Sequence, residues 1–425
     1  MVKTIKRLNT FGPVGVITLS GLKSLTELSY RTASAQTSFM LYEPFGRNTA
    51  ASIAWLCHEM KRAGKENEVV GIFPADQLVE DISTFHQAIR VAEVAAQKGR
   101  IVTLGIKPYY PATGFGYIEL SENITTQEGG VKSYRALGFR EKPTLQKATE
   151  FLESDRFVWN AGMFIFRVSE FIKHLERHLP DLWKMISSLE KDNSNIKEIY
   201  ESVTPISIDY GVMEKISENV DCIPCDMGWS DIGSWNELSE RLKSYPVYGE
   251  KNNFVHMAQQ EKTVAILGIE NLIVVDMPDA LLVTTKEGSQ RTGQLVNELE
   301  KDGQSSALEH SFDIRPWGDY QVLKDSDYYK SKIIRVNPSQ QISYQSHAKR
   351  SEHWIIVKGS GIVVLNDKEI IVTAGQHILI PLGAKHRIKN TGQSVLEFIE
   401  VQTGTYFGED DIVRYQDDYG RNPGK

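Results

Sequence analysis

The chain has 425 residues, with 48 Lys plus Arg against 55 Asp plus Glu and a formal charge of −7. That length suits two or three domains of roughly 150 residues each, and the mild acidity argues against a general nucleic-acid binder. Hydrophobic residues at 41% and charged residues at 24% support large cores and argue against wholesale disorder. No apolar run approaches the ~20 residues of a membrane span, and MVKTIKRLNTFG lacks the apolar centre of a signal peptide. Cys57, Cys222 and Cys225 are too few to staple a secreted scaffold. The expectation is a cytoplasmic enzyme with no nucleic-acid or membrane partner; homo-oligomerisation stays open.

In chain order, short apolar runs at 14–18, 39–42, 69–73 and 101–106 alternate with helical patterns at 50–63 and 81–98. Such alternation predicts a parallel sheet with helices on both faces. From about 111 to 245 the α/β pattern is less regular. Residues 250–300 carry closely spaced β-rich runs (TVAILGI, NLIVVDM, ALLVTT) and read as a small β connector. The polar stretch 301–310 reads as a linker. From 315 to about 401, short strands separated by Gly, Pro and Asn predict an all-β barrel or sandwich.

The densest chemistry lies between Ser339 and Asn390. Gln345 and His347 are two apart, so a strand turns both to one face. With Glu352 and His386 they offer an amide oxygen, two imidazoles and a carboxylate, a mixed set for a divalent metal such as Zn, Mn, Fe or Co. The spacing resembles the two cupin motifs. The second, G-x5-P-x-G-x2-H-x3-N, is matched by Gly375, Pro381, Gly383, His386 and Asn390. The first is matched at His347, Glu352 and Gly359, with Ser339 at its first Gly and Gln345 at its first His. The cupin resemblance implies a small barrel holding the metal through Gln345, His347, Glu352 and His386. His353 faces the other way and reads as a packing residue; His377 reads as core or surface.

QSHAKRSEHW (345–354), RPWGDY (315–320) and GEDDIVRYQDDYGR (408–421) resemble the isomerase domain of the bifunctional mannose-1-phosphate guanylyltransferase/mannose-6-phosphate isomerase family. Lys349 stands where that family has a second His, and could contact a sugar phosphate or lie exposed. Isomerisation moves a proton between C1 and C2, aided by a metal on the adjacent oxygens. Arg350, Arg414 and Arg421 are candidates for phosphate or enediolate contact.

Seven N-terminal segments resemble the guanylyltransferase half of the same family: LYEPFGRNTAASIA (41–54), FPAD (73–76), GIKPYYPATGFGYI (105–118), EKP (141–143), WNAGMFIF (159–166), SIDYGVMEK (207–215) and GWSDIGSW (228–235). Asp76 ends an apolar run, at the strand edge where open α/β sheets bind ligands. The resemblance implies Asp76 and Asp231 as Mg²⁺ carboxylates, and Gly116, Glu141 and Asn160 against the sugar. It places Lys142 near the phosphates and Arg47 and Asn48 near the nucleotide, with Arg421 as a further substrate contact. Gln77 stands where the family often has His. Cys222 and Cys225 form a lone C-x-x-C and read as ordinary residues.

The implied organisation is an α/β nucleotidyltransferase-like (Rossmann-like) domain over 1–245, a β-rich connector over 246–300 and an all-β cupin domain over 301–425. The implied substrates are GTP, mannose-1-phosphate, and mannose-6-phosphate or fructose-6-phosphate. The family's opening strand and Gly-rich loop, GGxGTRLWPLSR followed by Pro-Lys, have no match here, and KTIKRL (3–8) resembles the helix that follows that loop. A misplaced start, a gene fragment or a decayed transferase half are the expectations this raises. Loss of a central first strand would leave two neighbouring strands facing a gap. The alternatives are an isomerase with an inactive transferase domain, or a non-catalytic sugar-phosphate- or nucleotide-binding regulator.

Overall fold

The computed structural model describes residues 1–425 except 259–261, 309 and 420–425, so Arg421 lies outside the described residues. Two compact units divide the chain, Met1–Gly233 and Ser234–Lys425.

The first unit opens with helix α1 (Val2–Leu8), then β1 (Val14–Leu19), α2 (Lys23–Ala33) and β2 (Thr37–Glu43). Next come α3 (Asn48–Arg62), β3 (Val69–Ile72), α4 (Ile82–Gln97) and β4 (Ile101–Ile106). Strands β5 (Tyr117–Glu128), β6 (Val131–Arg140), β7 (Phe157–Arg167) and β8 (Val220–Pro224) complete its sheets. The main sheet has the order β3-β7-β4-β8-β6-β5. It is mixed, a correction to the parallel expectation. β4 and β8 run parallel, but β7 is inserted antiparallel between β3 and β4, and β5 and β6 form an antiparallel hairpin. The apolar run of β7 is suited to burial on both faces, and hydrophobicity alone does not reveal its direction.

All six residues of β4 are buried. Ile101 joins one core, with α3, while Val102, Leu104 and Ile106 join another, with α4. The strand's two-residue period thus feeds both faces. β1 and β2 form a separate parallel pair.

The second unit begins with helix Trp235–Arg241, then β9 (Val247–Gly249), β10 (Phe254–Met257), β11 (Val264–Ile266), β12 (Leu272–Asp276) and β13 (Leu281–Thr285). These make two small sheets, β10-β12-β13 and β11-β9. The remaining strands are β14 (Phe312–Arg315), β15 (Gly318–Asp325), β16 (Tyr329–Val336), β17 (Tyr344–His347), β18 (Arg350–Lys358), β19 (Ser360–Leu365), β20 (Lys368–Thr373), β21 (His377–Ile380), β22 (His386–Asn390), β23 (Leu396–Gly404) and β24 (Ile412–Gln416). They form two facing-order sheets, β14-β15-β16-β23-β18-β21 and β20-β19-β22-β17-β24. Trp354, Ile356, Val363, Ile388 and Phe398 fill the core with alternate positions of both sheets.

Candidate functional site

In the first unit, an isolated antiparallel bridge between Leu78 and Ser230 ties the loop after β3, which carries Asp76, to the turn that carries Asp231. Gln77 holds this arrangement. Its Nε2 donates to Ala161 O at 2.9 Å, and its Oε1 accepts from Trp229 Nε1 at 3.0 Å. The His-to-Gln difference therefore places an amide that bonds both ways. Asp231 Oδ1 accepts from Gly233 N at 3.0 Å, which closes its turn.

A second group lies along β7. Asn160 Nδ2 donates to Asp209 Oδ1 at 2.8 Å, and its Oδ1 accepts from Thr103 Oγ1 and Gly162 N, both at 3.1 Å. Asn160 N donates to Gly116 O at 2.8 Å. A Cβ at Gly116 would collide with Glu141 Oε2, so glycine is what lets that carboxylate close over the backbone. Burial, reinforced by Asp209, raises the Glu141 carboxyl, and burial also raises Asp209; Lys142 opposes both shifts. Gly116, Glu141, Lys142 and Asn160 are thus brought together, with Asp209 added. Sequence reasoning missed Asp209, although it sits inside SIDYGVMEK with Ser207 capping its short helix.

Arg47 and Asn48 begin α3. The Arg47 Nε donates to Tyr200 O at 2.6 Å, its Nη2 to Glu201 O at 3.4 Å, and its guanidinium lies over Phe45. Asn48 has φ +64° and accepts from Thr49 N. Thr49 Oγ1 accepts from Ile208 N at 2.9 Å, which ties the start of α3 to the Asp209 segment. Cys57, Cys222 and Cys225 are buried free thiols; burial pushes Cys225 up to about 12 and Cys222 well above its usual range, so neither acts as a thiolate.

In the barrel, β17, β18 and β22 deliver His347, Glu352 and His386, whose ligand atoms all lie within 4.8 Å of one another. His347 Nε2 is 3.0 Å from Glu352 Oε1 and His386 Nε2 is 3.4 Å from Glu352 Oε2. Neither Nε2 makes a geometrically sound hydrogen bond, nor does His347 Nδ1. Two buried imidazole Nε2 atoms converging on one buried carboxylate, with no sound hydrogen bond between them, are the donor set a divalent cation satisfies. His386 Nδ1 pairs with Ala384 O at 2.9 Å, which orients the ring and leaves Nε2 for the shared centre. Burial works against the Glu352 charge, but His347 and His386 outweigh it and hold the carboxyl well below its usual range. Burial lowers His347, so the neutral, ligating form is favoured.

Gln345 pairs in register with His386, and its Oε1 accepts from Ser343 Oγ at 2.8 Å. Arg350 is buried beside the cluster; its Nη1 donates to Gly408 O at 2.8 Å and its Nε is 3.5 Å from Glu352 Oε1. Ser339, at the motif's first Gly, has φ +64°, the left-handed turn that explains a glycine there in the motif. Gly383 N donates to His347 O at 2.8 Å, joining the two motifs. Asn390 is a brace, with its amide on Val336 O and Ser394 O. His353 turns outward and meets His377 Nε2 at 3.1 Å. Lys349 is exposed, with its Nζ 4.7 Å above the Tyr406 ring.

Sequence reasoning also missed Lys332, Glu400 and Gln402. Gln402 Nε2 donates to Glu352 Oε1 at 3.2 Å and to Glu400 Oε1 at 2.8 Å; Trp354 Nε1 reaches Glu400 Oε2 at 2.9 Å. Burial, together with the Glu352 charge, pushes the Glu400 carboxyl up to about 8 against the pull of Lys332. The signal was present: Phe398, Glu400 and Gln402 share the inward face of β23.

An α/β sheet with carboxylates beyond its strand edges, followed by a barrel with a buried His/Glu/His set, defines a nucleotidyl transferase fused to a cupin. The nucleotidyl transferase family matches residues 4–246, the family described as MannoseP isomerase/GMP-like beta-helix domain matches 250–299, and the mannose-6-phosphate isomerase C-terminal family matches 302–417. The Xanthomonas campestris xanthan biosynthesis protein XanB is 37% identical over 402 residues, covering 90% of this chain and 83% of its own length. The Pseudomonas putida alginate biosynthesis protein AlgA is 35% identical over 403 residues, covering 91% and 82%. A Klebsiella pneumoniae mannose-1-phosphate guanylyltransferase is 35% identical over 397 residues, covering 90% and 83%. A solved Thermus thermophilus structure described as a mannose-1-phosphate geranyltransferase superposes with a TM-score of 0.57 at 29% identity, covering 70% of this chain and 88% of its own. The chain belongs to this family of bifunctional mannose-1-phosphate guanylyltransferase/isomerase proteins, and both the nucleotidyl transferase and isomerase domains are present. No helix among the described residues is long and apolar enough to cross a membrane.

Proposed function

We propose that the chain makes GDP-mannose and diphosphate from GTP and mannose-1-phosphate, and interconverts mannose-6-phosphate and fructose-6-phosphate in its barrel. The observation that carries the isomerase half of the reading is the buried His347–Glu352–His386 set, whose Nε2 atoms converge on one carboxylate. These three, with Gln345 beside them, would hold the divalent metal, which when bound polarises sugar oxygens. Arg350, buried beside Glu352, balances its charge. Among the candidates for sugar-phosphate contact, Arg421 completes the reading as a C-terminal arginine.

In the first unit, Asp76 and Asp231 supply hard carboxylate oxygens, the chemistry that Mg²⁺ prefers. When bound, Mg²⁺ neutralises phosphate charge. Glu141 and the Asn160–Asp209 pair orient the sugar hydroxyls, Gly116 leaves room for the Glu141 carboxylate, and Lys142 faces the phosphates. Arg47 and Asn48 sit on the nucleotide side at the start of α3. The working compartment in this reading is the cytoplasm.

A second reading, isomerase activity alone with an inactive transferase domain, is favoured by the His347–Glu352–His386 set lying wholly within the second unit. Paired assays on the purified full chain separate the two. One contains GTP, mannose-1-phosphate and Mg²⁺; the other contains mannose-6-phosphate with Zn²⁺, Mn²⁺, Fe²⁺ or Co²⁺ in turn. Both products are expected. Fructose-6-phosphate without GDP-mannose would establish the second reading, and neither product would overturn both.

A further inference from the structure

β16 and β24 each turn a cation toward the inside of the barrel. Lys332 of β16 lies opposite Glu400 in register, on the face that Ile334 and Val336 give to the core. Arg414 and Ile412 of β24 lie opposite Gln345 and His347, and residues opposite one another on paired strands share a face. The Lys332 and Arg414 side chains are 8% and 19% exposed. They meet on one carboxylate, that of Glu409 in the connection from β23 to β24. Lys332 Nζ is 3.2 Å from Glu409 Oε1, and Arg414 Nη2 is 3.8 Å from Glu409 Oε2. Arg350 reaches the same connection, with Nη1 on Gly408 O at 2.8 Å and Nε 3.5 Å from Glu352 Oε1. One guanidinium thus spans from the candidate metal carboxylate to the residue beside Glu409.

Burial works against the Glu409 charge, but Lys332, Arg350 and Arg414 outweigh it and hold the carboxyl below its usual range. Its side chain is nevertheless 52% exposed. The backbone around it is pinned, since Asp411 accepts from the amides of Ala348 and Lys349 and Gly408 O accepts from Arg350. The Glu409 carboxylate can therefore rotate into solvent while that backbone stays in place.

We propose that Lys332 and Arg414 form the seat for the phosphate group of the sugar phosphate, and that the Glu409 carboxylate occupies this seat until the substrate displaces it. The proposal rests on the isomerase reading and gives it a substrate-binding site. Charge supports it. Lys332, Arg350 and Arg414 face Glu352, Glu400 and Glu409, three cations against three carboxylates. A divalent cation on the His347 set leaves at least two positive charges in excess, and a phosphate dianion offsets them. Shape supports it too. An open-chain hexose 6-phosphate carries its reacting C1 and C2 at one end and its phosphate at the other, and Arg350 joins the two places those ends require. Arg414 offers the planar fork that suits phosphate oxygens, and Lys332 a point charge.

The probe is mannitol 6-phosphate, which keeps the open chain and the phosphate but has no carbonyl to isomerise; mannitol is its control. Calorimetry on the full chain loaded with Zn²⁺ is expected to show mannitol 6-phosphate binding at one per chain, and mannitol about tenfold or more weakly. Lys332→Met and Arg414→Gln should each weaken the phosphate ester by about tenfold or more. Glu409→Gln should tighten it by about two- to fivefold, the worth of the ion pair it removes. A purely structural ion pair gives the opposite result, a lower unfolding temperature with no gain in affinity. If Lys332→Met fails to fold, Arg414→Gln, on a strand at the sheet edge, and Glu409→Gln carry the test. Unchanged affinity in the two cation variants, or equal or weaker binding by Glu409→Gln, would overturn the seat. Isomerisation of mannose-6-phosphate alongside such a result would leave the isomerase reading standing. The expected affinities without isomerisation by the unaltered chain would keep the seat and overturn that reading instead.

Discussion

In the barrel, three strands bring His347, Glu352 and His386 to one buried point; Arg350 joins it from the strand of Glu352, and β23 adds Glu400 and Gln402. In the first unit, Asp76 and Asp231 sit on loops joined by one β-bridge, and Asp209, bonded to Asn160, lines a cavity between β1 and β3. Strands paired within two packed sheets fix donors through their register. Carboxylates beyond the strand edges of the first unit must be fixed through loops instead. The barrel's chemistry should therefore be resilient to changes elsewhere and sensitive to its donors alone.

The sharpest break of that contrast is His347→Ala. Loss of a donor should exceed the 10- to 100-fold penalties typical of outer partners, so metal affinity and isomerase rate should fall by about 100-fold or more. Metal analysis after dialysis and a fructose-6-phosphate assay check this, and unchanged metal content would remove the site. GDP-mannose formation should be unaffected. The mirror experiment is Asp231→Asn. It should lower GDP-mannose formation on the order of 100-fold, since several kcal/mol of charge stabilisation is at stake, with the isomerase rate intact. A variant that lowered both activities alike would mean that the two sites are not separable.

Much of this contrast was legible before the fold was seen. The cupin spacing points to His347, Glu352 and His386 because a tight turn after each motif fixes which side chains share the barrel interior. The run IVTLGI reads as a buried strand and is one. VGVITL reads the same way and is half-exposed, because hydrophobicity records what a strand is suited to and not what covers it. The direction of β7 was illegible for the same reason. Asp209 was missed because a carboxylate in a short helix has no spacing signature; only the fold puts it against Asn160.

Gln77→Ala tests the loop-built side by a smaller step. It removes the bonds to Ala161 O and from Trp229 Nε1, for a loss of about 1–2 kcal/mol. Thermal unfolding should register the loss, and GDP-mannose formation should fall with it while isomerase activity holds. Asp209→Asn has an opposite sign. The Asp209 carboxyl is raised by burial, so the folded state favours its protonated form, and the stability linked to it is full below the unfolded value and is lost as pH rises through the raised one. Asn keeps an oxygen for Asn160 and cannot ionise. Urea midpoints across the range above about pH 4 should therefore decline less steeply for the variant. Parallel curves would show that Asp209 ionises freely.

The smallest effect is expected at Lys349, which stands where the family has a second His in QSHAKRSEHW (345–354). Ala348 and Lys349 are exposed between buried His347 and Arg350, because the turn from β17 to β18 reverses the chain there. Their amides donate to Asp411 at 3.3 and 3.1 Å, so the backbone and not the side chain holds the turn. The Nζ rests on Tyr406, a contact worth about 0.5–1 kcal/mol at an exposed site. Lys349→Ala should cost no more than that in a denaturation midpoint and leave metal content equal to that of the unaltered chain. Lys349→His, which restores the residue usual in the family, should add no metal. A gain of metal affinity would show that the turn can fold inward, and that the buried set of His347, Glu352 and His386 is incomplete without a donor from this position.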